Sequence, residues 1–176
     1  AVGFMGVLID WISQPPTSCD LLLVAMPGVG DVGKLAIDAV NAELDAEPIA
    51  RILHPALPPL AKLDDDGLLA PPHILLSRVI VDGKEVYTLT GDAQPMTPEG
   101  QHELAVSVLE LCEGGEVLVL AGMSAQAERK EVFTITSSSS YRIELESMGV
   151  DVRRDEPKAG VIGMAALITA IGPIKN

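Results

Sequence analysis

The chain has 176 residues, of which 48% are hydrophobic, 21% charged and 3% aromatic, and its formal net charge is −13. This length and composition suit one domain over residues 1–176, with an aliphatic core. The negative charge disfavours nucleic acids and anionic membranes as partners, because both bind clustered Lys and Arg.

Residues 1–20 are predicted to be an N-terminal extension or an edge segment. Residues 1–12 are mostly apolar, but no basic segment precedes them, which argues against a signal peptide. Residues 161–174 fall short of the ~20 residues of a membrane span. Cys19 and Cys112 form no CxxC pair, and we interpret them as buried thiols in a reducing compartment. We therefore expect a cytoplasmic protein.

The first regular unit is a strand followed by a helix. The run Leu21–Ala25 is apolar without alternation, which predicts a strand covered on both faces. Over residues 31–44 the apolar residues recur at helical spacing. Glu47–Leu53 is the next predicted strand. Residues 55–72 contain five prolines and are predicted to be a loop longer than most connections.

A hairpin is the strongest turn signal in the chain. The runs Ile74–Val81 and 86–89 flank Asp82-Gly83, a sequence typical of a type I′ turn. A helix is then predicted to reach about Cys112, with Thr97 as its N-cap and Pro98 at its first position.

The last third predicts two strands and two helices. Residues 117–121 form an apolar run that indicates a second doubly buried strand, and residues 132–136 are predicted to form a further strand. The serines at 137–140 are N-cap candidates for a helix over residues 141–148. A final helix is predicted over residues 164–170.

Strands that alternate with helices indicate an α/β protein. We expect a three-layer α/β/α sandwich with a mostly parallel sheet and one hairpin. In such a sheet, loops that follow strands converge at one edge, where α/β proteins form ligand sites. The loops at 28–34, 91–95, 122–124 and 137–140 are therefore expected to line a cleft for a small molecule or anion.

The sharpest motif is PGVGDVGK at residues 27–34, between a predicted strand and helix. Its glycines match the dinucleotide fingerprint, but the second strand ends without the acid that would bind the ribose. The motif also matches the phosphate loop, except that Leu35 replaces the Ser or Thr that binds magnesium. In a third interpretation the glycines are structural and allow a tight turn and close packing of the helix. Taken alone, the motif fits this third interpretation best.

Candidate site residues come from the glycine-bounded loops. Asp92 follows a strand in such a loop, although Asp is also a common turn residue. No Ser-His-Asp or Cys-His order stands out, so we assign no catalytic residue, no metal ligand and no cofactor. The candidate ligand-binding residues are Gly28, Val29, Gly30, Gly33, Lys34, Asp92, Gln94 and Gly122.

Four short motifs, in this order and spacing, resemble the archaeal branch of the proteasome assembly chaperone family. They lie at residues 22–36, 91–95, 120–122 and 160–164. The resemblance implies an α/β/α sandwich similar to nucleoside phosphorylases, a homo-oligomer, and assistance in assembling proteasome α-subunits into rings. Family members are often labelled ATP-grasp-like, a label with little support here because no metal-binding acid pair stands out.

The resemblance predicts a non-enzymatic assembly chaperone or interaction protein. Such a protein would shield subunit surfaces transiently with exposed apolar edges and acidic patches. The alternative is a nucleotide- or nucleoside-dependent enzyme that binds phosphate through residues 28–34.

Overall fold

The computed structural model describes residues 6–126, 128 and 130–175, so the first five residues of the apolar N-terminal segment lie outside it. Eight β-strands and four α-helices are formed in this part of the chain. They are β1 (Leu8–Trp11), β2 (Leu21–Ala25), α1 (Val32–Glu43), β3 (Glu47–Leu53), β4 (Lys62–Leu63), β5 (Leu69–Ala70), β6 (Ile74–Val81), β7 (Lys84–Gly91), α2 (Pro98–Leu111), β8 (Glu116–Val119), α3 (Ser139–Ser147) and α4 (Met164–Lys175).

The main sheet is mixed, with the strand order β1-β3-β6-β7-β2-β8. The pairs β7-β2 and β2-β8 are parallel, whereas β1-β3, β3-β6 and β6-β7 are antiparallel. This corrects the prediction of a mostly parallel sheet. Parallel strands need a long crossover, such as α2 supplies between β7 and β8, but β6 and β7 are joined by a two-residue turn.

Helices cover both faces of the sheet. Leu89 of β7 packs with Leu104 of α2 and Ile168 of α4 in the main aliphatic core. The next residue back, Thr88, points to the opposite face, because side chains alternate along a strand. There its hydroxyl donates a 2.7 Å hydrogen bond to Asn41 of α1. The architecture is thus a three-layer α/β/α arrangement, while the likeness to nucleoside phosphorylases stays a prediction.

Several local predictions are confirmed. The strands β2 and β3 have the predicted bounds. Asp82 and Gly83 both have positive φ, 50° and 76°, as a type I′ turn requires. Thr97 caps α2 by accepting a hydrogen bond from the Gly100 N–H. Both cysteines are buried.

Other local predictions are wrong. β8 lies at an edge of the sheet and is only half-buried, because strands pair with it on one side. Residues 132–136 form no strand; Thr134 alone makes an isolated bridge to Val152. The proline-rich loop at 55–72 contains the short hairpin of β4 and β5.

Candidate functional site

The carboxyl ends of three parallel strands meet at one edge of the sheet. The neighbours β7, β2 and β8 run in the same direction, so the loops that follow Ala25, Gly91 and Val119 emerge side by side. We call this end of the strands the glycine-loop edge, as distinct from the edge strands of the sheet. It is defined by residues 27–34, 91–95, 120–122 and 160–164.

The first loop binds its own main chain. Val29–Asp31 form a 3-10 turn with Gly30 at φ 62°. The Gly28 N–H donates to the Asp31 carboxylate at 3.2 Å, and the Asp31 N–H donates to the Gly28 carbonyl at 3.1 Å. The Asp31 carboxylate therefore accepts from a main-chain N–H group. In a phosphate-binding turn, such a group would donate to the phosphate instead.

Two glycines allow the first and third loops to touch. A Cβ on Gly33, at the start of α1, would overlap the Leu120 carbonyl oxygen. A Cβ on Gly122 would overlap the Val29 carbonyl oxygen. Both positions therefore require glycine because another segment of main chain lies against them. This contact favours the structural interpretation of the motif.

Gln94 joins the second loop to the first and the fourth. Its side-chain Nε2 donates to the Pro27 carbonyl at 2.7 Å, and its Oε1 accepts from the Met164 N–H at 3.1 Å. Gly163, with φ 82°, lies so close that a Cβ there would stand 2.8 Å from Oε1. Both ends of the amide are thus bound to main chain, so Gln94 acts as a cross-link between three loops.

The two charged candidates pair with neighbouring side chains. Asp92 accepts a 2.8 Å hydrogen bond from Lys62 of β4, which lowers the pKa of the Asp92 carboxyl; the charges of Lys34 and His73 add to this effect. Lys34 itself donates to Asp38, one turn along α1, at 2.7 Å. Because both pairs are partly exposed, they can exchange for other partners at little cost.

The structure brings the predicted loops at 28–34, 91–95 and 122 together, but not the serine loop. Ser138 caps α3 by accepting the Tyr141 N–H. The Tyr141 hydroxyl then donates to Glu116, which lies at the amino end of β8, away from the glycine-loop edge. The prediction that residues 137–140 converge on this edge is wrong, because no strand of the sheet precedes them.

The candidate list missed the fourth loop. Gly163 and Met164 contact Gln94, yet neither was assigned to the site. The available signal was the motif at residues 160–164, which belongs to the family resemblance. Composition and periodicity gave no sign of it, because the loop precedes a helix rather than following a strand.

An exposed apolar hairpin lies beside the glycine-loop edge. We call residues 60–70 the leucine hairpin, because Leu60, Leu63, Leu68 and Leu69 are 62–71% exposed. Its turn is held by Asp64, whose carboxylate accepts the N–H groups of Asp66 and Leu68. The Lys62–Asp92 ion pair links the leucine hairpin to the second glycine loop.

A shallow cleft of about 300 Å³ lies at the other end of the sheet, lined in part by Glu47, Arg78 and Glu85. The guanidinium of Arg78 pairs with Glu47 at 2.6 Å and with Glu85 at 3.3 Å. The charge of Arg78 is thus neutralised within the cleft, which makes the cleft a poor anion site.

The described residues meet the requirements of neither a metal site nor a membrane-spanning helix. Within residues 6–126, 128 and 130–175, no three His, Cys, Asp or Glu side chains are grouped so as to hold a metal ion. No helix that the structure describes has both the length and the apolar composition needed to cross a bilayer.

The chain is similar to known proteins over most of its length. The model of the PAC2 family matches residues 22–173. The uncharacterized protein MJ1210 of Methanocaldococcus jannaschii is 26% identical over 160 residues, which cover 87% of this chain and 60% of that protein. The chain thus spans about 60% of the length of this curated relative.

Solved structures show the same fold. The Pyrococcus furiosus protein PbaB, described as an archaeal proteasome activator, matches with a TM-score of 0.80 and 20% identity over 97% of this chain and 76% of PbaB. PbaA of the same organism, described as an archaeal homolog of proteasome-assembly chaperone, matches with a TM-score of 0.72 and 22% identity. That match covers 97% of this chain and 68% of PbaA.

Proposed function

This chain belongs to the PAC2 family, and on that premise we propose that it is a non-enzymatic chaperone or interaction protein for proteasome subunits. The sequence resemblance to the archaeal branch of the proteasome assembly chaperones supports this proposal, as do the descriptions of PbaA and PbaB. We further propose proteasome α-subunits as partners, a homo-oligomeric state, a cytoplasmic location and a single domain over residues 1–176.

The observation that carries the proposal is that the loops of the glycine-loop edge form hydrogen bonds within themselves and with one another. In a nucleotide-binding turn, main-chain N–H groups point outward to phosphate oxygens. Here the Asp31 carboxylate accepts the Gly28 N–H, and Gln94 bonds to Pro27 and Met164. A phosphate at this turn would meet the negative charge of Asp31. Ligand binding by the eight candidate residues stays a prediction, and the geometry favours a role in organising the loops.

The leucine hairpin supports a protein partner. Scattered exposed apolar residues are ordinary, but here four exposed leucines lie within residues 60–70, and Leu63 and Leu69 are neighbours across the two strands of the hairpin, a clustering of the kind that marks interaction sites. Asp65 and Asp66, both exposed, lie at its tip. Exposed leucines with acidic residues beside them are complementary to a partner surface that is apolar with basic residues at its border.

The proposal is tested by capture of purified proteasome α-subunits at micromolar concentration. We expect the wild-type chain to retain them and the double variant Leu63→Ser/Leu69→Ser to lose at least about tenfold in affinity, since apolar anchors dominate interface energies. Both leucines are 71% exposed, so the melting temperature should change little.

The matched control is Ile143→Ser on α3, a change of the same kind at a residue that is 63% exposed. It should retain the subunits as the wild type does. Failure of the wild type to retain them would contradict the proposal. A clear rise in melting temperature with ATP and magnesium, without subunit binding, would favour the enzyme alternative instead.

A further inference from the structure

The two cysteines of the chain, 93 residues apart in sequence, lie in direct contact. The Cys19 thiol donates to the Cys112 sulfur with a sulfur–sulfur distance of 2.6 Å. Cys19 is 8% exposed and Cys112 is fully buried, both within the main core. Because the chain has two cysteines in all, neither has another thiol within the molecule with which to form a disulfide.

The main chain on both sides of the pair is fixed by hydrogen bonds. Cys112 directly follows α2, and its carbonyl accepts the Gly115 N–H at 3.0 Å. Cys19 lies two residues before β2, where the Asp20 carbonyl accepts the Glu116 N–H at 2.9 Å. A Cβ on Gly115 would overlap the Cys19 carbonyl oxygen, so glycine there lets the two segments approach. The contact between the sulfurs therefore belongs to the packing of these segments.

We propose that Cys19 and Cys112 form a redox-active pair that a peroxide converts to an intramolecular disulfide. A disulfide requires the two sulfurs to lie in direct contact, and here they already do. None of the glycine-loop contacts involves these residues. The proposal is thus independent of the proposed function.

The reaction proceeds in two balanced steps. The thiolate of one cysteine attacks one oxygen of hydrogen peroxide, the O–O bond breaks, and the released hydroxide takes up a proton, so that a sulfenic acid and one water form. The sulfur of the other cysteine then attacks the sulfenic sulfur and displaces its hydroxyl, which takes up the thiol proton and leaves as a second water. In sum, two thiols lose two hydrogen atoms and one peroxide is reduced to two waters.

The hydrogen bonds of the pair act differently on the two thiols. The hydrogen bond that Cys19 donates lowers the pKa of Cys112, whereas the same hydrogen bond and burial raise the pKa of Cys19. The Cys112 thiol in turn donates to the Cys19 carbonyl at 3.0 Å, and Cys19 is the more exposed of the two, so we assign the first oxidation to neither sulfur in particular. Peroxide reaches the pair when the segment before β2, where Thr17, Ser18 and Asp20 are exposed, opens locally.

The disulfide would stabilise the fold. It would connect the start of β2 to the end of α2 and close a long loop, which restricts the unfolded chain. For a chain of this size we expect the melting temperature to rise by roughly 5–15 °C. The bond would lie at the amino end of β2, whereas the glycine-loop edge lies at its carboxyl end, so partner binding should not change.

The experiment treats the wild-type chain with one equivalent of hydrogen peroxide and then unfolds it with a maleimide. We expect the intact mass to fall by two hydrogen masses, no maleimide adduct to form, and the higher melting temperature to return to its original value with dithiothreitol. The Cys19→Ser variant should gain oxygen on Cys112, and its melting temperature should not rise.

Cys112→Ala serves as a second variant if Cys19→Ser does not fold, and it should show no rise either. Wild-type protein that gains oxygen atoms, forms only intermolecular dimers or keeps two maleimide-reactive thiols would overturn the proposal. So would a disulfide that forms equally fast in the unfolded chain and leaves the melting temperature unchanged.

Discussion

Tyr87 is a buried phenol whose surroundings favour its neutral form. Its side chain is 1% exposed, and its hydroxyl donates a 2.8 Å hydrogen bond to Glu85. Burial, followed by the hydrogen bond to Glu85, raises the pKa of Tyr87 to about 12. Ionisation would place a phenolate beside the Glu85 carboxylate, and Arg78 offsets this only in part.

Tyr87 therefore makes stability fall at high pH. Its pKa is raised on folding, so its contribution is complete below about pH 10 and is lost as the pH rises from about 10 to about 12. The chain has two tyrosines, and Tyr141→Phe leaves Tyr87 as the sole one. Ultraviolet titration of this variant should show tyrosinate formation near pH 12 when folded and near pH 10 in urea. A folded midpoint near 10 would contradict this account.

At the residue scale, the position of Gln94 could be predicted from the sequence, whereas its hydrogen-bond partners could not. Its place in a loop after a strand was predictable from the turn residues around it. Its hydrogen bond to the Met164 N–H joins residues 70 apart, and this contact follows from how α4 packs. Local patterns carry no information on such a partner. The sequence could therefore predict where the glycine-loop edge lies but not the hydrogen bonds of Gln94 that connect its loops.

At the scale of elements, the strands that were predicted correctly have strong local signals. β2 is a continuous apolar run, and the Asp82-Gly83 turn fixes the register of β6 and β7. The run at 132–136 is rich in β-branched residues and also predicts a strand, but only Thr134 finds a pairing partner. Whether an apolar run becomes a strand, and whether it lies inside or at an edge as β8 does, depends on neighbours distant in sequence.

Two glycines of the motif at residues 27–34 differ in how closely other main-chain atoms approach them, so their alanine variants form a matched pair. Gly33→Ala should lower the free energy of unfolding by about 2 kcal/mol or more, because its Cβ would overlap the Leu120 carbonyl. Gly28→Ala should change it by less than about 1 kcal/mol, since Gly28 is extended at φ −168° and its Cβ would have no neighbour closer than 3.9 Å. Urea denaturation measures both values. Equal losses in the two variants would show that loop contact does not explain the motif.

At the scale of the whole molecule, the sequence predicted the layers but not the direction of the strands. Helices on both faces follow from the alternation of strands and helices. The mixed sheet arises because β1 and β3 add to the β6–β7 hairpin on one side, while β2 and β8 add in parallel on the other. Strand order is set by tertiary packing, and for this reason a mostly parallel sheet was predicted wrongly.

The charge of the whole molecule and the leucine hairpin should affect different steps of partner binding. A net charge of −13 acts over several ångströms and attracts a basic partner before contact, and salt screens this attraction. The leucines act only after contact, when water has left the interface. If the proposed function holds, the two contributions therefore separate in the kinetics of α-subunit binding.

We expect the association rate constant to fall about tenfold between about 0.05 M and 0.5 M sodium chloride, while the dissociation rate constant changes by less than about twofold. The Leu63→Ser/Leu69→Ser variant should show the opposite pattern, with faster dissociation and the same dependence of association on salt, because its net charge is unchanged. Surface plasmon resonance measures both rate constants. A salt effect confined to dissociation would mean that the acidic residues lie within the interface itself rather than acting at a distance.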